Sequence, residues 1–295
     1  MLLGCDDEKS SPPRAQDAPQ LAVKELRKLP GIESTEFWSA SIPADARTLF
    51  LSDNGQGIRA FDLTTSKEIQ SLPTFISVTA LAISPDGKQV LVNRGAGEKT
   101  GPILIDLGTR QALRTFDGQK EAITFVAFTP NEANVLAAAE DIRIWSKETG
   151  KEVQRHPLDE KERVRAAVSI DGRPVVAVVK HRENEKPDTS VRVLDLDNKK
   201  ELFRFAGPQC NRIDSLALVP KDDVVVILYS RMANSLGGLG PPGWHAFLQV
   251  RRMSDGKEMF DAGLDYWSTS IAVYPDQRRF LLAGRNVYEW QLRDK

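Results

Sequence analysis

The sequence has few of the residues that build metal sites and no excess of either charge. Its 295 residues include only three histidines (His156, His181 and His245) and two cysteines (Cys5 and Cys210), too few and too scattered for a Cys/His metal site. The formal net charge is −1, which argues against binding to a nucleic-acid backbone. No apolar run approaches the roughly 18 residues of a membrane span. We therefore expect no metal, no cofactor and no nucleic-acid partner.

Long helical periodicity is also missing, and a short segment recurs in its place. Each copy is an apolar run that leads into a polar turn. The copies begin at Ile58, Pro102, Ile142, Val191, Leu248 and Val287. They are 39 to 57 residues apart. A period of about 40–50 residues with four strands per unit is typical of β-propellers.

A second recurring segment completes the unit. It consists of two apolar runs around a Pro-Asp-Gly-like turn, which predicts a strand, a tight turn and a strand. Its copies begin at Phe37, Thr79, Ile123, Val164, Ile213 and Ser268. Runs that are apolar on both faces fit sheets sandwiched between neighbouring sheets. The sequence therefore predicts an all-β propeller of six four-stranded antiparallel blades over residues 24–295.

The order of strands within a blade is predicted from the N-terminal segment. The run from Val23 to Leu29 resembles the segments that follow the polar turns, and we predict that it is the inner strand of blade 1. In this arrangement "DIRIWSKETGKEVQ", from Asp141, is an outer strand, the turn to the next blade, and that blade's inner strand. Because Trp145 and Trp290 occupy one repeat position, we expect both indoles to lie between adjacent sheets.

These repeats resemble the WD-repeat β-propeller family over residues 24–292. The position of the family's Trp-Asp dyad falls on Phe61-Asp62, Ile105-Asp106, Trp145-Ser146, Leu194-Asp195, Arg251-Arg252 and Trp290-Gln291. No copy keeps both residues, and the family's Gly-His pair is absent. The resemblance implies a propeller, but a shared fold does not by itself assign a function.

Insertions at one position of the repeat indicate a binding face. The loop between the strands predicted to be third and fourth is short in blades 3 and 6, and long in blades 2, 4 and 5. Insertions on one face of a repeat protein often mark its binding surface. The predicted partner-binding residues are Met232, Leu239, Trp244 and Phe247 in blade 5, with Arg182 in blade 4. Trp244 is the expected anchor; the alternative is that it folds back over the channel or a strand edge.

Two aromatic pairs are predicted to reach the same face. Phe37-Trp38 and Tyr266-Trp267 lie in connections that end there, although one residue of each pair can belong to the core instead. Cys210 is interpreted as a small packing residue rather than a nucleophile.

A Lys-Glu pair recurs in the polar turns. The copies are Lys67-Glu68, Lys151-Glu152, Lys200-Glu201 and Lys257-Glu258, and Gln111-Ala112 interrupts the series. A charged binding ring is one interpretation. The interruption favours the other, that these residues only keep the turns solvated.

The first residues resemble a bacterial lipoprotein signal. Leu2-Leu3-Gly4 before Cys5 matches a lipobox, and the polar stretch "DDEKSSPPRAQDAPQ" follows like a tether. Residues 1–23 are therefore predicted to be a lipobox-like start and a disordered polar tether. A lipid on Cys5 and a location at the cell envelope are expected if the true start of the protein lies upstream. No basic segment precedes the cysteine as an export signal requires. The alternative is a chance match and a cytoplasmic protein.

The predicted function is that of a non-catalytic, monomeric scaffold that binds a protein partner through the inserted loops. The alternative is a ligand- or metal-binding propeller enzyme of the lactonase type, which needs polar side chains that converge on a metal from the inner strands. The segments predicted as inner strands, such as "ELRKL" and "EIQSL", offer no such set.

Overall fold

The fold is an all-antiparallel six-bladed β-propeller, as the repeat predicts. A computed structural model describes residues 21–73, 77–93, 101–170, 172–182, 188–210, 212–233 and 243–294. In these ranges the chain forms 24 β-strands and one 3-10 turn, Pro220–Asp222. The strands form six sheets of four.

Each blade is a run of consecutive strands, except that blade 6 also takes the first strand of the chain. Blade 1 consists of β2 (Phe37–Ser41), β3 (Thr48–Asp53), β4 (Gly57–Asp62) and β5 (Glu68–Leu72). Blade 2 consists of β6 (Leu81–Ile83), β7 (Gln89–Val92), β8 (Ile103–Asp106) and β9 (Ala112–Thr115). Blade 3 consists of β10 (Phe125–Phe128), β11 (Asn134–Ala138), β12 (Asp141–Ser146) and β13 (Glu152–Pro157).

The remaining blades follow the same plan. Blade 4 consists of β14 (Glu162–Ile170), β15 (Arg173–Arg182), β16 (Asp188–Asp195) and β17 (Lys200–Ala206). Blade 5 consists of β18 (Arg212–Val219), β19 (Val224–Ala233), β20 (Gly243–Arg252) and β21 (Glu258–Leu264). Blade 6 consists of β22 (Ser268–Val273), β23 (Arg279–Gly284), β24 (Asn286–Asp294) and β1 (Leu21–Glu33).

The first strand closes the ring instead of opening blade 1. β1 pairs antiparallel with β24, with Val23 opposite Leu292 and Glu25 opposite Trp290. The prediction that this segment is an inner strand is therefore wrong. It is the outermost strand of blade 6, and hydrogen bonds between the two ends of the chain hold the ring together.

The same correction applies to the polar turns. β12 and β13 pair within one sheet, with Ile142 opposite His156, so "DIRIWSKETGKEVQ" is a hairpin of one blade. A repeat has the same period wherever its unit is taken to begin. The period alone therefore could not determine the phase of the repeat, that is, which strand is the first of each blade. The sequence of the polar turn itself indicates a hairpin, and therefore two strands of the same blade. Asp62, Asp106 and Asp195 accept backbone N–H bonds from residues two or three positions later, as in hairpin turns.

The core is divided into six clusters, one between each pair of neighbouring blades. Both faces of each sheet are therefore buried. This explains why the strand sequences are continuous apolar runs instead of alternating apolar and polar residues. Val175–Val179 in β15 and Val224–Leu228 in β19 are fully buried along their length. Such strands cannot show the apolar–polar alternation of a half-buried sheet.

Trp145 and Trp290 lie between sheets, as predicted. Trp145 is 1% exposed in the cluster between blades 2 and 3, where its Nε1 donates to the carbonyl of Asp117 at 3.1 Å. Trp290 is 7% exposed between blades 5 and 6, and its Nε1 donates to Tyr266 Oη at 2.8 Å. Within the described residues, no helix is long and apolar enough to cross a membrane.

Candidate functional site

Long hairpins mark one face of the ring. The second and third strands of blade 5, β19 and β20, have ten residues each, against four to six in blades 1 to 3. Part of each predicted loop in blades 4 and 5 is therefore strand. Successive strands alternate in direction, so the tips of these hairpins and the connections into the inner strands share a face, here called the hairpin face. Of the predicted insertion in blade 2, "NRGAGEKTG" from Asn93, residues 94–100 are outside the described residues.

Trp244 is exposed on a strand of the blade 5 hairpin. It lies opposite Met232 across β19 and β20, and the two side chains are 49% and 54% exposed. Pairing of β20 with β21 begins only at Ala246, so this end of the hairpin extends past the rest of the sheet. The predicted anchor is thus displayed on paired backbone. It does not belong to any of the buried clusters.

The other predicted partner-binding residues have different positions. Phe247 is half-buried and stacks on Tyr229, with ring centroids 5.0 Å apart, and the guanidinium of Arg231 lies over both rings. Phe247 therefore supports the base of the hairpin. Arg182 is the last residue of β15, and Leu239 is outside the described residues.

A groove of about 590 Å³ adjoins Trp244, and we call it the blade 5–6 groove. Its lining comprises Thr35, Glu36, Trp244, Asp265, Tyr266, Trp267, Arg285 and Asn286. Tyr266 stacks on Tyr288 in this groove, with ring centroids 3.5 Å apart. Its hydroxyl also donates a hydrogen bond to Glu25 Oε2 at 2.9 Å, and the two contacts fix the ring. Burial raises the pKa of Tyr266. The hydroxyl therefore stays protonated near neutral pH.

The predicted aromatic pairs separate as follows. Phe37 is fully buried in the cluster between blades 6 and 1, whereas Trp38 lines the central channel. Tyr266 and Trp267 both line the blade 5–6 groove. Sequence reasoning did not identify the groove carboxylates Glu36 and Asp265. The available signal was their position in the sequence, since each directly precedes one of the two predicted aromatic pairs.

The opposite face carries the Lys-Glu turns. Their glutamates pair with arginines of the preceding strand: Glu68 lies 2.7 Å from Arg59, and Glu152 lies 3.5 Å from Arg143. Glu201 also pairs with Arg204, at 2.7 Å. These contacts give the glutamates of blades 1, 3 and 4 a structural role, so their recurrence does not require a ligand.

The central channel is lined by strands different from those predicted. The first strands of the sheets, β2, β6, β10, β14, β18 and β22, surround a cavity of about 420 Å³. The segments "ELRKL" and "EIQSL" lie in β1 and β5, on the outer edge of the ring. The inner strands of the structure carry serines, Arg165 and Asp214. The prediction that no polar side chains converge on the channel therefore concerned outer strands.

Cys210 lies in the cluster between blades 4 and 5 and is 1% exposed. Burial raises the pKa of its thiol to about 12, so the thiol is protonated at neutral pH. Such a group is suited to packing rather than to nucleophilic attack. Among the described residues, no group of three or more His, Cys, Asp or Glu side chains could hold a metal ion.

The class of protein that this geometry defines is the six-bladed β-propeller. No family model matches the sequence, and no curated protein matches it. Solved structures do resemble it. A chain of hydrazine synthase from Kuenenia stuttgartiensis is 14% identical, with a TM-score of 0.63 over 85% of this chain and 74% of that one. U3-55K is also 14% identical, with a TM-score of 0.64 over 91% and 98%. At this identity the likeness shows the fold alone.

Proposed function

We propose that the protein is a non-catalytic propeller that binds a protein partner on its hairpin face. The observation that carries the proposal is the exposed pair Trp244 and Met232 on the projecting hairpin of blade 5. Tryptophan is among the residues most enriched in interface hot spots, and exposed apolar groups that cluster on a monomer often mark a binding site.

The surroundings of Trp244 fit a docking site with an aromatic centre and a polar border. Tyr266 and Trp267 adjoin it in the blade 5–6 groove, while Glu36, Asp265 and Arg285 provide charge around them. Trp244 is held on paired strands, so little conformational freedom is lost when a partner covers it. Preorganisation of this kind favours affinity because the entropic cost of ordering is already met.

The proposal extends to a tether at the cell envelope. Cys5 and the polar stretch after it lie outside the described residues. The lipobox-like sequence supports the idea that a lipid on Cys5 holds the propeller near a membrane, with its binding face available to a partner. One acyl chain binds a membrane only marginally, so stable anchoring requires a second chain or signal.

Site-specific photo-crosslinking tests the docking face. A photoreactive amino acid is placed at Trp244 and, in a control, at Val153, which is 55% exposed on the outer strand of blade 3. We expect a discrete crosslinked protein from position 244 in the native host and not from position 153. Equal products from both positions, or none from 244, would contradict the proposal.

A further inference from the structure

Four inner strands carry a β-bulge at the same place, close to where the strand begins. The register with the second strand skips Trp38 in blade 1, Arg165 in blade 4, Asp214 in blade 5 and Thr269 in blade 6. All four residues line the central channel, near its mouth on the hairpin face. Bulges occur often beside functional sites, because the extra residue re-aims its side chain.

Arg165 is a cation without a partner at this mouth. Among the described residues its guanidinium forms neither a hydrogen bond nor an ion pair, and its Nε atom is buried with no acceptor. Burial lowers the pKa of Arg165, and the nearby negative charge of Asp214 offsets this effect only in part. Buried polar groups are normally satisfied, and an unpaired one calls for a ligand, a water or an ion.

Asp214, a second charged residue of the channel wall, is paired through one of its two carboxylate oxygens. Asp214 is 2% exposed at its side chain, and its Oδ1 accepts from Arg212 Nε at 2.5 Å. Among the described residues that line the cavity, no other is charged. The Oδ2 atom of Asp214 is buried without a hydrogen-bond partner, and the charge of the carboxylate acts on both Arg165 and Arg212. Two guanidinium groups and one carboxylate leave the mouth with a net charge of +1.

Serine hydroxyls add hydrogen-bond donors to the channel wall. Each of four serines uses its oxygen to accept a backbone N–H of the next blade at 3.1–3.2 Å. They are Ser39, Ser41, Ser215 and Ser270. A hydroxyl that accepts in this way still has its O–H proton to donate. The cavity thus combines one guanidinium with several donors.

We propose that the central channel binds a small oxyanion, a carboxylate or a phosphate group, through Arg165. Guanidinium is suited to both groups because it presents parallel N–H donors to two oxygens. The cavity of about 420 Å³ is within the size range of small-molecule sites. The channel opens on the hairpin face, but Trp244 does not line it, so variants can test the two sites separately.

Arg165→Met tests the site, with Arg163→Gln as the matched control. Arg163 lies two residues away on β14 and does not line the cavity. Binding of succinate and of inorganic phosphate to the full chain is measured by calorimetry in low-chloride buffer. We expect Arg165→Met to weaken binding by at least about tenfold, because a hydrogen-bonded charge pair is lost. Arg163→Gln should bind like the wild type.

The melting midpoints give a second readout. Without an anion, Arg165→Met should melt no lower than the wild type, because it removes a buried charge that has no direct ion-pair partner among the described residues. Added succinate or phosphate should raise the midpoint of the wild type and leave that of Arg165→Met unchanged. The probe with the larger effect on the wild type identifies the preferred oxyanion.

A comparison on the wild type covers the case in which Arg165→Met does not fold. Succinamide has nearly the shape of succinate without its charge, and it should not bind. Equal binding of succinamide, retention of binding by Arg165→Met, or no binding of either anion would overturn the proposal. Trp244→Ala should leave anion binding unchanged, so failure of this site and failure of the docking face can be distinguished.

Discussion

Truncation of Trp145 tests the packing between blades. Trp145→Ala removes a side chain that is 1% exposed and lies 6.0 Å, between ring centroids, from Phe116 of the neighbouring blade. It also leaves the carbonyl of Asp117 without the indole donor. Because both sheets are fixed by their own hydrogen bonds, the site cannot collapse fully around the cavity.

The expected loss is large. Truncation of a buried tryptophan costs roughly 3–5 kcal/mol of unfolding free energy. In a domain of this size, each kcal/mol lowers the melting midpoint by about 2–4 °C, so the fall should be on the order of 10 °C.

Two other tryptophans calibrate the assay. Trp290→Ala, at the equivalent position and 7% exposed, should lose a similar amount. Trp244→Ala, at 49% exposure, should change the unfolding free energy by about 1 kcal/mol or less. The measurement is thermal and urea unfolding followed by circular dichroism. An unchanged midpoint for Trp145→Ala, or an equal loss for Trp244→Ala, would refute this packing.

Three further outcomes are expected. A chain that starts at residue 34 should melt lower and self-associate in size-exclusion chromatography compared with one that starts at residue 21, because it lacks β1 and exposes the edge of β24; identical behaviour would show that β1 does not close the ring. Burial lowers the pKa of His156, so below about pH 6.5 the unfolded state binds more protons than the folded state. The stability of the protein should therefore decrease as the pH falls through this range. His156→Phe should therefore lose less in melting midpoint than the wild type between about pH 7.5 and about pH 5.5, and an equal loss would assign the dependence to other groups. In the native host, a fatty-acid probe should label the wild type and not Cys5→Ser; labelling of both or of neither would remove the lipid anchor.

The architecture was accessible from the sequence because propeller packing is repetitive. Trp145 and Trp290 recur at one position, and that recurrence placed both correctly between sheets. The phase of the repeat was not accessible in the same way. Val23 to Leu29 resembles the other outer strands, but only the pairing of β1 with β24 shows that those strands lie at the edge of the ring.

The error in phase had a direct consequence for the site. The sequence did not point to Arg165 and Asp214, because their segments were not predicted to line the channel. Each residue lies in a β-bulge, and a bulge cannot be predicted from the spacing of apolar residues. Trp244 is predicted as a partner-binding residue from the length of its insertion and its aromatic character. Its exposure depends on how far β20 extends beyond β21, which is a property of the folded sheet.

The affinity of the crosslinked partner for matched variants tests the central claim most directly. Isothermal titration with the purified partner compares the wild type, Trp244→Ala and Val153→Ala. A hot-spot tryptophan contributes about 2 kcal/mol or more, so Trp244→Ala should weaken binding by roughly 30-fold or more, while Val153→Ala should bind like the wild type. Equal affinity of Trp244→Ala and the wild type would contradict docking on the hairpin face.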